Sequence, residues 1–196
     1  MRALLLKYSD VYHQAKYIDR LLDYHIHSKS VFLPREELIL LILQSYPDLY
    51  VVESYGWHKV VFRILIGPTV VLKVGSKRSI ENDHRAYERV PHSIRHLFFA
   101  RIFWHTKYCL LQEYGLSVNV TANQLDYFRS VLYRYGVFDV KADNIRSING
   151  ELKLIDANST VIRVPAILRK IDQIKAKLPK KIVLLGKKIN KRLYST

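Results

Sequence analysis

Apolar residues in the first part of the chain recur at helical spacing. Four of them follow one another three or four residues apart: Val11, Ala15, Ile18 and Leu22. A second apolar helix is predicted to begin after Pro34 and to end near Tyr46, because proline is favoured in the first turn of a helix. Residues 1–48 are therefore predicted to form a helical N-terminal extension.

From residue 49 the pattern changes to short segments rich in β-branched and aromatic residues. The segments LYVVES, HKVVFRILI and TVVLKV predict a three-stranded meander, with a turn at Gly67 and Pro68 between the last two. A helix is predicted over about 79–90, and the segments LFFARIFW and YCLLQEY predict two more strands. Residues 49–115 should thus form a five-stranded sheet with one helper helix.

Residues 116–196 are predicted to be mainly helical. Thr121 and Gln124 have the spacing of a capping box, and Gly136 predicts the end of the helix that this box begins. Near the C-terminal end of the sequence, Pro165 predicts the start of an amphipathic helix. The chain is therefore expected to be α+β, with a sheet-rich part before a helical one.

One β-hairpin interrupts this helical part, in the segment DNIRSINGELKLIDAN at residues 143–158. Asn-Gly between apolar runs strongly predicts a two-residue type I′ turn, which needs positive φ at both positions. The register that follows places Asn144 opposite Ile155, with Asp156 one residue later. Asn144 and Asp156 are therefore expected at the same open end of the hairpin. Ideal pleating would point their side chains to opposite faces, so binding one ion together requires the strand ladder to break there.

Composition limits the class of protein. With 196 residues, of which 49% are hydrophobic and 25% charged, the chain can bury a substantial core. The longest apolar run, residues 38–43, is far too short for a membrane span, and the lone Cys109 fits a reducing compartment. We therefore expect a soluble, cytoplasmic protein.

The formal net charge of +15 is concentrated at one end of the sequence. Residues 163–196 contain eleven lysine and arginine residues and a single acidic one, Asp172. This basic region, 163–192, suits nucleic acid, an anionic membrane surface or an acidic protein partner. A solvated helix face is the alternative, and charge alone does not distinguish them.

Candidate chemistry collects around the hairpin. Asp139 could accept a hydroxyl proton, Lys141 could meet a phosphoryl group, and Asn144 and Asp156 offer the oxygen ligands that magnesium prefers. Together these are the groups that phosphoryl transfer needs. Taken singly, an Asp or Asn beside a hairpin is more often a turn or capping residue.

The sequence over residues 49–158 resembles the protein-kinase superfamily. DVKADN, followed after the hairpin by LKLIDAN, is similar to the catalytic loop and metal-binding segment of that family. Lys73 in VVLKV is similar to the third-strand lysine, and LLQEYG resembles the segment that joins the two lobes. The resemblance implies a two-lobed kinase-like fold, with a five-stranded N-lobe and a truncated helical C-lobe.

The resemblance also implies a role for each matching residue. Lys73 would contact the ATP phosphates, and Asp139 and Lys141 would be catalytic. Asn144 and Asp156 would bind magnesium. The remaining nucleotide-binding positions would be these: Gly56 from the glycine-rich loop, Gln112 as gatekeeper, and the backbone of Glu113 and Gly115 against the adenine.

Several positions depart from the family pattern. The helix carboxylate that would pair with Lys73 falls on Asp83, with Glu81 as the alternative. Val137 and Phe138 replace the usual His-Arg, and Ala157 stands where the family has Phe. No A-P-E sequence follows, which resembles the small atypical kinases of the RIO type.

Three functions are compatible with these observations. The first is an atypical serine/threonine protein kinase that uses ATP and magnesium, because Lys141 is the residue that such kinases carry. The second is a pseudokinase or basic binding module that docks on nucleic acid or an acidic protein. The third is a small-molecule kinase, although that branch usually has histidine at the position of Lys141.

Overall fold

The fold is described from a computed structural model, which describes residues 9–29, 33–46, 50–55, 59–64 and 70–157. These residues lie within one compact unit and form an α+β structure with two antiparallel sheets. The predicted turn at Gly67, the glycine Gly56 and the basic region 163–192 lie outside the described residues. No helix within the described ranges combines the length and apolar composition needed to cross a membrane.

Among the described residues, two helices precede the first sheet: α1, Ser9–Lys29, and α2, Arg35–Ser45. Pro34 directly precedes α2, as the sequence predicts. The apolar residues of both helices pack in the same cluster as the sheet, and the most deeply buried are Ala15, Ile18, Leu22, Leu38 and Ile42. The apolar residues that recur at helical spacing in α1 therefore form the face that this helix buries.

The first sheet has five strands in the spatial order β1-β2-β3-β5-β4. The strands are β1, Tyr50–Tyr55; β2, Lys59–Ile64; β3, Val70–Gly75; β4, Ile102–His105; and β5, Cys109–Glu113. Every neighbouring pair is antiparallel, and the central strand β3 is buried along its whole length. The predicted meander is thus formed by β1, β2 and β3, and β5 pairs with the other edge of β3.

Two helices connect β3 to β4, where the sequence predicted one. Helix α3 is Lys77–Arg89, and the Ser76 side chain caps its start by accepting a hydrogen bond from the Ser79 N–H at 3.3 Å. Helix α4 is His92–Phe98. The prediction that the segment LFFARIFW is all strand was therefore wrong, because its first two residues end α4 and the strand begins only at Ile102.

The second part of the described chain contains a short strand, a helix and the hairpin. Strand β6 is Leu116–Ser117, helix α5 is Ala122–Leu132, and strands β7, Ile145–Ile148, and β8, Glu151–Leu154, form a three-stranded sheet with β6. Both bonds of the predicted capping box are present: Gln124 N–H to Thr121 Oγ1 at 3.3 Å, and Thr121 N–H to Gln124 Oε1 at 2.9 Å. Gly136, with φ of 77°, follows the 3₁₀ turn Tyr133–Tyr135 after α5.

The hairpin has the predicted turn and register. Asn149 and Gly150 have φ of 52° and 78°, and Ile148 lies opposite Glu151. The ladder of paired residues ends at the Ile145 and Leu154 pair, and beyond it the Ile155 N–H donates to the Asn144 carbonyl at 2.8 Å. One further backbone bond in the same register therefore joins Asn144 to Ile155 beyond the last strand pair.

The two sheets belong to two separate hydrophobic cores. The first lies between α1, α2 and the five-stranded sheet. The second gathers side chains from α3, α4, α5 and the hairpin, including Ala86, Phe98, Phe128, Leu132, Ile145 and Leu154. A backbone bond from Ala100 N–H to the Leu154 carbonyl, 3.0 Å long, ties the segment before β4 to the hairpin. The candidate site residues lie on elements of both cores.

A buried carboxylate fastens α1 to the turn between β4 and β5. Asp19 accepts hydrogen bonds from Thr106 Oγ1 at 2.9 Å, from Tyr108 N–H at 3.0 Å and from Lys107 N–H at 3.2 Å. One helical turn later, Asp23 accepts bonds from Lys107 Nζ and from the Tyr108 hydroxyl. The N-terminal helix is therefore joined to the sheet by polar bonds as well as by apolar packing.

Candidate functional site

Lys73 lies at the centre of β3, opposite Val61 of β2 and Leu110 of β5. Its side chain is only 3% exposed. The ammonium group donates a hydrogen bond of 2.5 Å to the Ile155 carbonyl and lies 3.4 Å from Asp83 Oδ2. The structure thus brings Lys73 against the segment that follows the hairpin.

Of the two carboxylates proposed for Lys73, only Asp83 points inward. Asp83 on α3 is buried, whereas Glu81 lies on the helix surface and pairs with Arg85 at 3.0 Å and Lys77 at 3.7 Å. Burial raises the pKa of Asp83 to about 6, although Lys73 and Lys59 favour its charged form. Asp83 is therefore a buried carboxyl whose charged form depends on the two neighbouring lysines.

A second buried lysine, Lys59, completes the cluster, and the sequence analysis missed it. Lys59 Nζ lies 2.7 Å from each Asp83 oxygen and 2.6 Å from Asp156 Oδ1. Burial disfavours the charged form of Lys59, but the Asp83 and Asp156 carboxylates outweigh burial and raise its pKa. We call Lys59, Lys73, Asp83 and Asp156 the ionic cluster.

A signal for Lys59 was present in the sequence. Side chains two residues apart share one face of a strand, so Lys59 lies on the same face as Val61. Because Val61 is opposite Lys73, both lysines fall on one face of the sheet, two residue pairs apart. Lysine side chains usually face solvent, so the sequence pattern alone did not predict that Lys59 is buried.

Asp156 stands at the open end of the hairpin, as predicted, with a side chain 34% exposed. Partial burial favours its neutral form, but the ammonium groups of Lys73 and Lys59 outweigh burial and hold the pKa of Asp156 well below its usual range. Asp156 is therefore an anion at neutral pH. It is the one carboxylate of the ionic cluster that solvent reaches.

The residues at the hairpin end fit a magnesium ion that is completed by phosphate and water. The backbone bond between Asn144 and Ile155 fixes Asn144 next to the segment that bears Asp156. Carboxylate and amide oxygens are the donors that a hard cation prefers, and Lys59 contacts one of the two Asp156 oxygens. No group of three His, Cys, Asp or Glu side chains suited to a metal occurs among the described residues. Magnesium commonly keeps few protein ligands, so two are compatible with it.

A narrow cleft of about 130 Å³ adjoins Lys73. Its apolar lining comes from Val61, Val71 and Ile155, residues 113–115 form its edge, and Ser117 and Arg146 add polar groups. Gln112 also lines the cleft; its side chain is buried, and Oε1 has no hydrogen-bond partner among the described residues. A small cleft lined by both apolar and polar side chains is the kind of site that binds a small organic ligand.

Glu113 and Gly115 hold the edge of this cleft in place. The Glu113 N–H donates to the Arg101 carbonyl, and Glu113 Oε2 accepts from the Arg101 N–H, each at 2.9 Å. A Cβ added to Gly115 would lie 2.5 Å from the Arg146 Cβ. Only glycine permits this close approach of the edge to β7.

Asp139 and Lys141 lie together on the loop between Gly136 and the hairpin. Lys141 Nζ is 2.8 Å from Asp139 Oδ1, and the lysine side chain is 66% exposed. The hydrogen bond to Asp139, with the charges of Asp139, Asp156 and Asp143, raises the pKa of Lys141. Neighbouring Val137 and Val140 are buried and anchor the loop. The loop therefore presents a carboxylate and an ammonium within electrostatic reach of Asp156.

No protein-family model matches this chain, and a comparison with curated proteins finds no significant match. Its functional assignment therefore depends on the residues and their geometry.

Proposed function

We propose that this chain is an ATP- and magnesium-dependent phosphotransferase with a minimal kinase-like fold, acting on serine or threonine hydroxyl groups of proteins. The observation that carries the proposal is the ionic cluster beside the cleft. Two buried lysines and two carboxylates lie at its Lys73 end, and the Gln112 amide and the strand-edge backbone lie at the other. Two ammonium groups at one end of the cleft, and a space for the base at the other, match the two parts of a nucleotide.

Each side chain of the site has a role in this proposal. Lys73 binds the α- and β-phosphates, Asn144 and Asp156 hold magnesium, and Lys141 meets the γ-phosphate. Asp139 orients the acceptor hydroxyl and accepts its proton. Magnesium held by these two residues would supply positive charge that neutralises the charge developing during transfer.

The reaction is tested first at Asp139. Asp139→Asn keeps the shape of the side chain but removes its basicity, so we expect phosphate transfer to fall by at least about 10²-fold. Mg·ATP should still raise the melting temperature of the variant, because Asp139 does not hold the nucleotide. The measurement is the rate of transfer of labelled γ-phosphate to the chain itself and to serine- and threonine-containing peptides.

Asp143→Asn is the matched control for this experiment. It makes the same chemical change in the same loop, at an exposed carboxylate outside the proposed roles. We expect its transfer rate to stay within about threefold of the wild type, as is usual for a surface substitution. Equal rates in Asp139→Asn and wild type would remove Asp139 from the mechanism.

Gln112 provides a second test, which concerns the adenine ring. A buried carbonyl without a partner costs about 1–3 kcal/mol, and the 6-amino group of adenine can donate to it. Gln112→Leu removes the unsatisfied group, so the free protein should melt at a higher temperature while ATP binds about tenfold more weakly. Thermal melting with and without Mg·ATP measures both effects. A variant that binds ATP as tightly as the wild type would exclude Gln112 from base binding.

A pseudokinase is the second candidate, and one observation favours it. Lys59 lies 2.6 Å from the carboxylate that the proposal assigns to magnesium. A melting shift with Mg·ATP but no labelled product would support the pseudokinase. Label on an added sugar or other small alcohol, without labelled protein, would support a small-molecule kinase.

A further inference from the structure

Lys59 uses all three of its ammonium donors on carboxylates of the protein. A lysine ammonium has three N–H donors, and Lys59 has three carboxylate oxygens at 2.6–2.7 Å: both of Asp83 and one of Asp156. These two carboxylates come from different parts of the chain, α3 and the segment after β8. Lys59 therefore joins the helix to the proposed metal ligand.

The charges of the ionic cluster balance without a ligand. Lys59 and Lys73 contribute two positive charges, and Asp83 and Asp156 contribute two negative charges. A divalent ion arriving alone would add two uncompensated positive charges beside two ammonium groups in a poorly solvated place. An ion arriving with a nucleotide brings the phosphate charge that compensates it.

Lys59 can change partners without losing its position. If it releases Asp156, it keeps both bonds to Asp83, which is buried and fixed on α3. One N–H is then free for a phosphate oxygen. Since Lys73 is two residue pairs away on the same face of the sheet, that oxygen would belong to the phosphates that Lys73 also contacts.

We infer that Lys59 is a second phosphate-binding residue that occupies Asp156 in the free protein and moves to the nucleotide phosphates, so that Asp156 binds a divalent ion only together with nucleotide. This inference rests on the proposed function. Lys59 is thus an internal cation that keeps the metal carboxylate covered until the substrate arrives.

The contrast with Lys153 separates this role from a structural one. Lys153 is also buried, but its ammonium group donates to the carbonyls of His96 at 2.5 Å and Leu97 at 3.2 Å, near the end of α4. Lys153 also pairs with Glu151 at 2.6 Å. Its partners are helix carbonyls and an exposed carboxylate, which no ligand of the cleft would displace.

The experiment is a titration of the protein with Mn²⁺ alone, followed by electron paramagnetic resonance of the free ion. The wild type should bind Mn²⁺ weakly, whereas Lys59→Met, which uncovers Asp156, should bind it at least about tenfold more tightly. The double variant Lys59→Met/Asp156→Asn should lose this gain. Lys59→Met should also bind Mg·ATP about tenfold more weakly, because one phosphate contact is missing.

Lys59→Gln is the second variant, since it is neutral but can still donate to Asp83 if Lys59→Met does not fold. Unchanged or weaker Mn²⁺ binding in a folded Lys59 variant would overturn the inference, as would tight Mn²⁺ binding by the wild type without nucleotide. With either Mn²⁺ result, a rise in the melting temperature of the wild type on adding Mg·ATP would leave the proposed function intact. No such shift would overturn both.

Discussion

Asp156→Asn is expected to lower the rate of labelled phosphate transfer by at least about 10³-fold. The substitution keeps the shape of the side chain but removes the anionic ligand, and a bound metal contributes several kcal/mol to stabilising the transition state. About 4 kcal/mol corresponds to a thousandfold change in rate. Initial rates at saturating ATP and magnesium measure the effect.

The loss should occur without unfolding. The Asp156 side chain is one-third exposed, and Lys59 keeps both of its bonds to the buried Asp83 after the substitution. Asp126→Asn is the control, because its carboxylate is 73% exposed and pairs only loosely with Arg129, at 3.5 Å. Transfer by Asp156→Asn within about fivefold of this control would show that Asp156 is not a metal ligand, since such a ratio corresponds to only ~1 kcal/mol.

Asp19→Ala is expected to destabilise the protein by about 3 kcal/mol or more. The substitution removes the carboxylate that accepts three hydrogen bonds. The donors that lose this acceptor are the N–H groups of Lys107 and Tyr108 and the hydroxyl of Thr106. Each buried group left unsatisfied costs about 1–3 kcal/mol. For a chain of this size the melting temperature should fall by roughly 6–12 °C, which calorimetry would measure.

Asp23→Ala provides the matched comparison on the same helix. Asp23 pairs with Lys107, but both side chains are more than one-third exposed, so water replaces the lost bonds. We expect a loss below about 1 kcal/mol, as for other surface ion pairs. If the two variants were equally destabilised, the buried position of Asp19 would have no special importance for α1.

The parts of the fold that local sequence chemistry determines could be predicted. Asn149 and Gly150 define a turn that few other residues can form, and the turn alone sets the hairpin register. Thr121 and Gln124 likewise satisfy each other within one helical turn. These interactions depend on residues close in the sequence.

The segment before β4 could not be predicted in the same way. Residues 97–104 are apolar and aromatic, which is typical of a strand, yet Phe98 ends α4 and packs in the second core. Arg95 supports this short helix through bonds to the Val90 carbonyl, 3.1 Å, and to Glu88, 2.8 Å. Tertiary packing therefore overrides the β propensity of the segment.

The positions of site residues could be predicted where they follow from the register of one element. They could not be predicted where they depend on contacts between separate elements. The positions of Asn144 and Asp156 follow from the hairpin register alone. That Asp83 rather than Glu81 points inward depends on which face of α3 packs against the sheet. Lys59 and Asp83 are 24 residues apart, and only their burial together makes the pair visible.

The bond between Asp19 and Thr106 also has a consequence for synthesis. The two residues are separated by 87 positions, so α1 leaves the ribosome long before the turn that it fastens exists. At 5–20 residues per second the delay is roughly 4 to 17 seconds. During that time the apolar stripe of α1, with Ile18 and Leu22, lacks its final cover and is open to molecular chaperones or to another nascent chain.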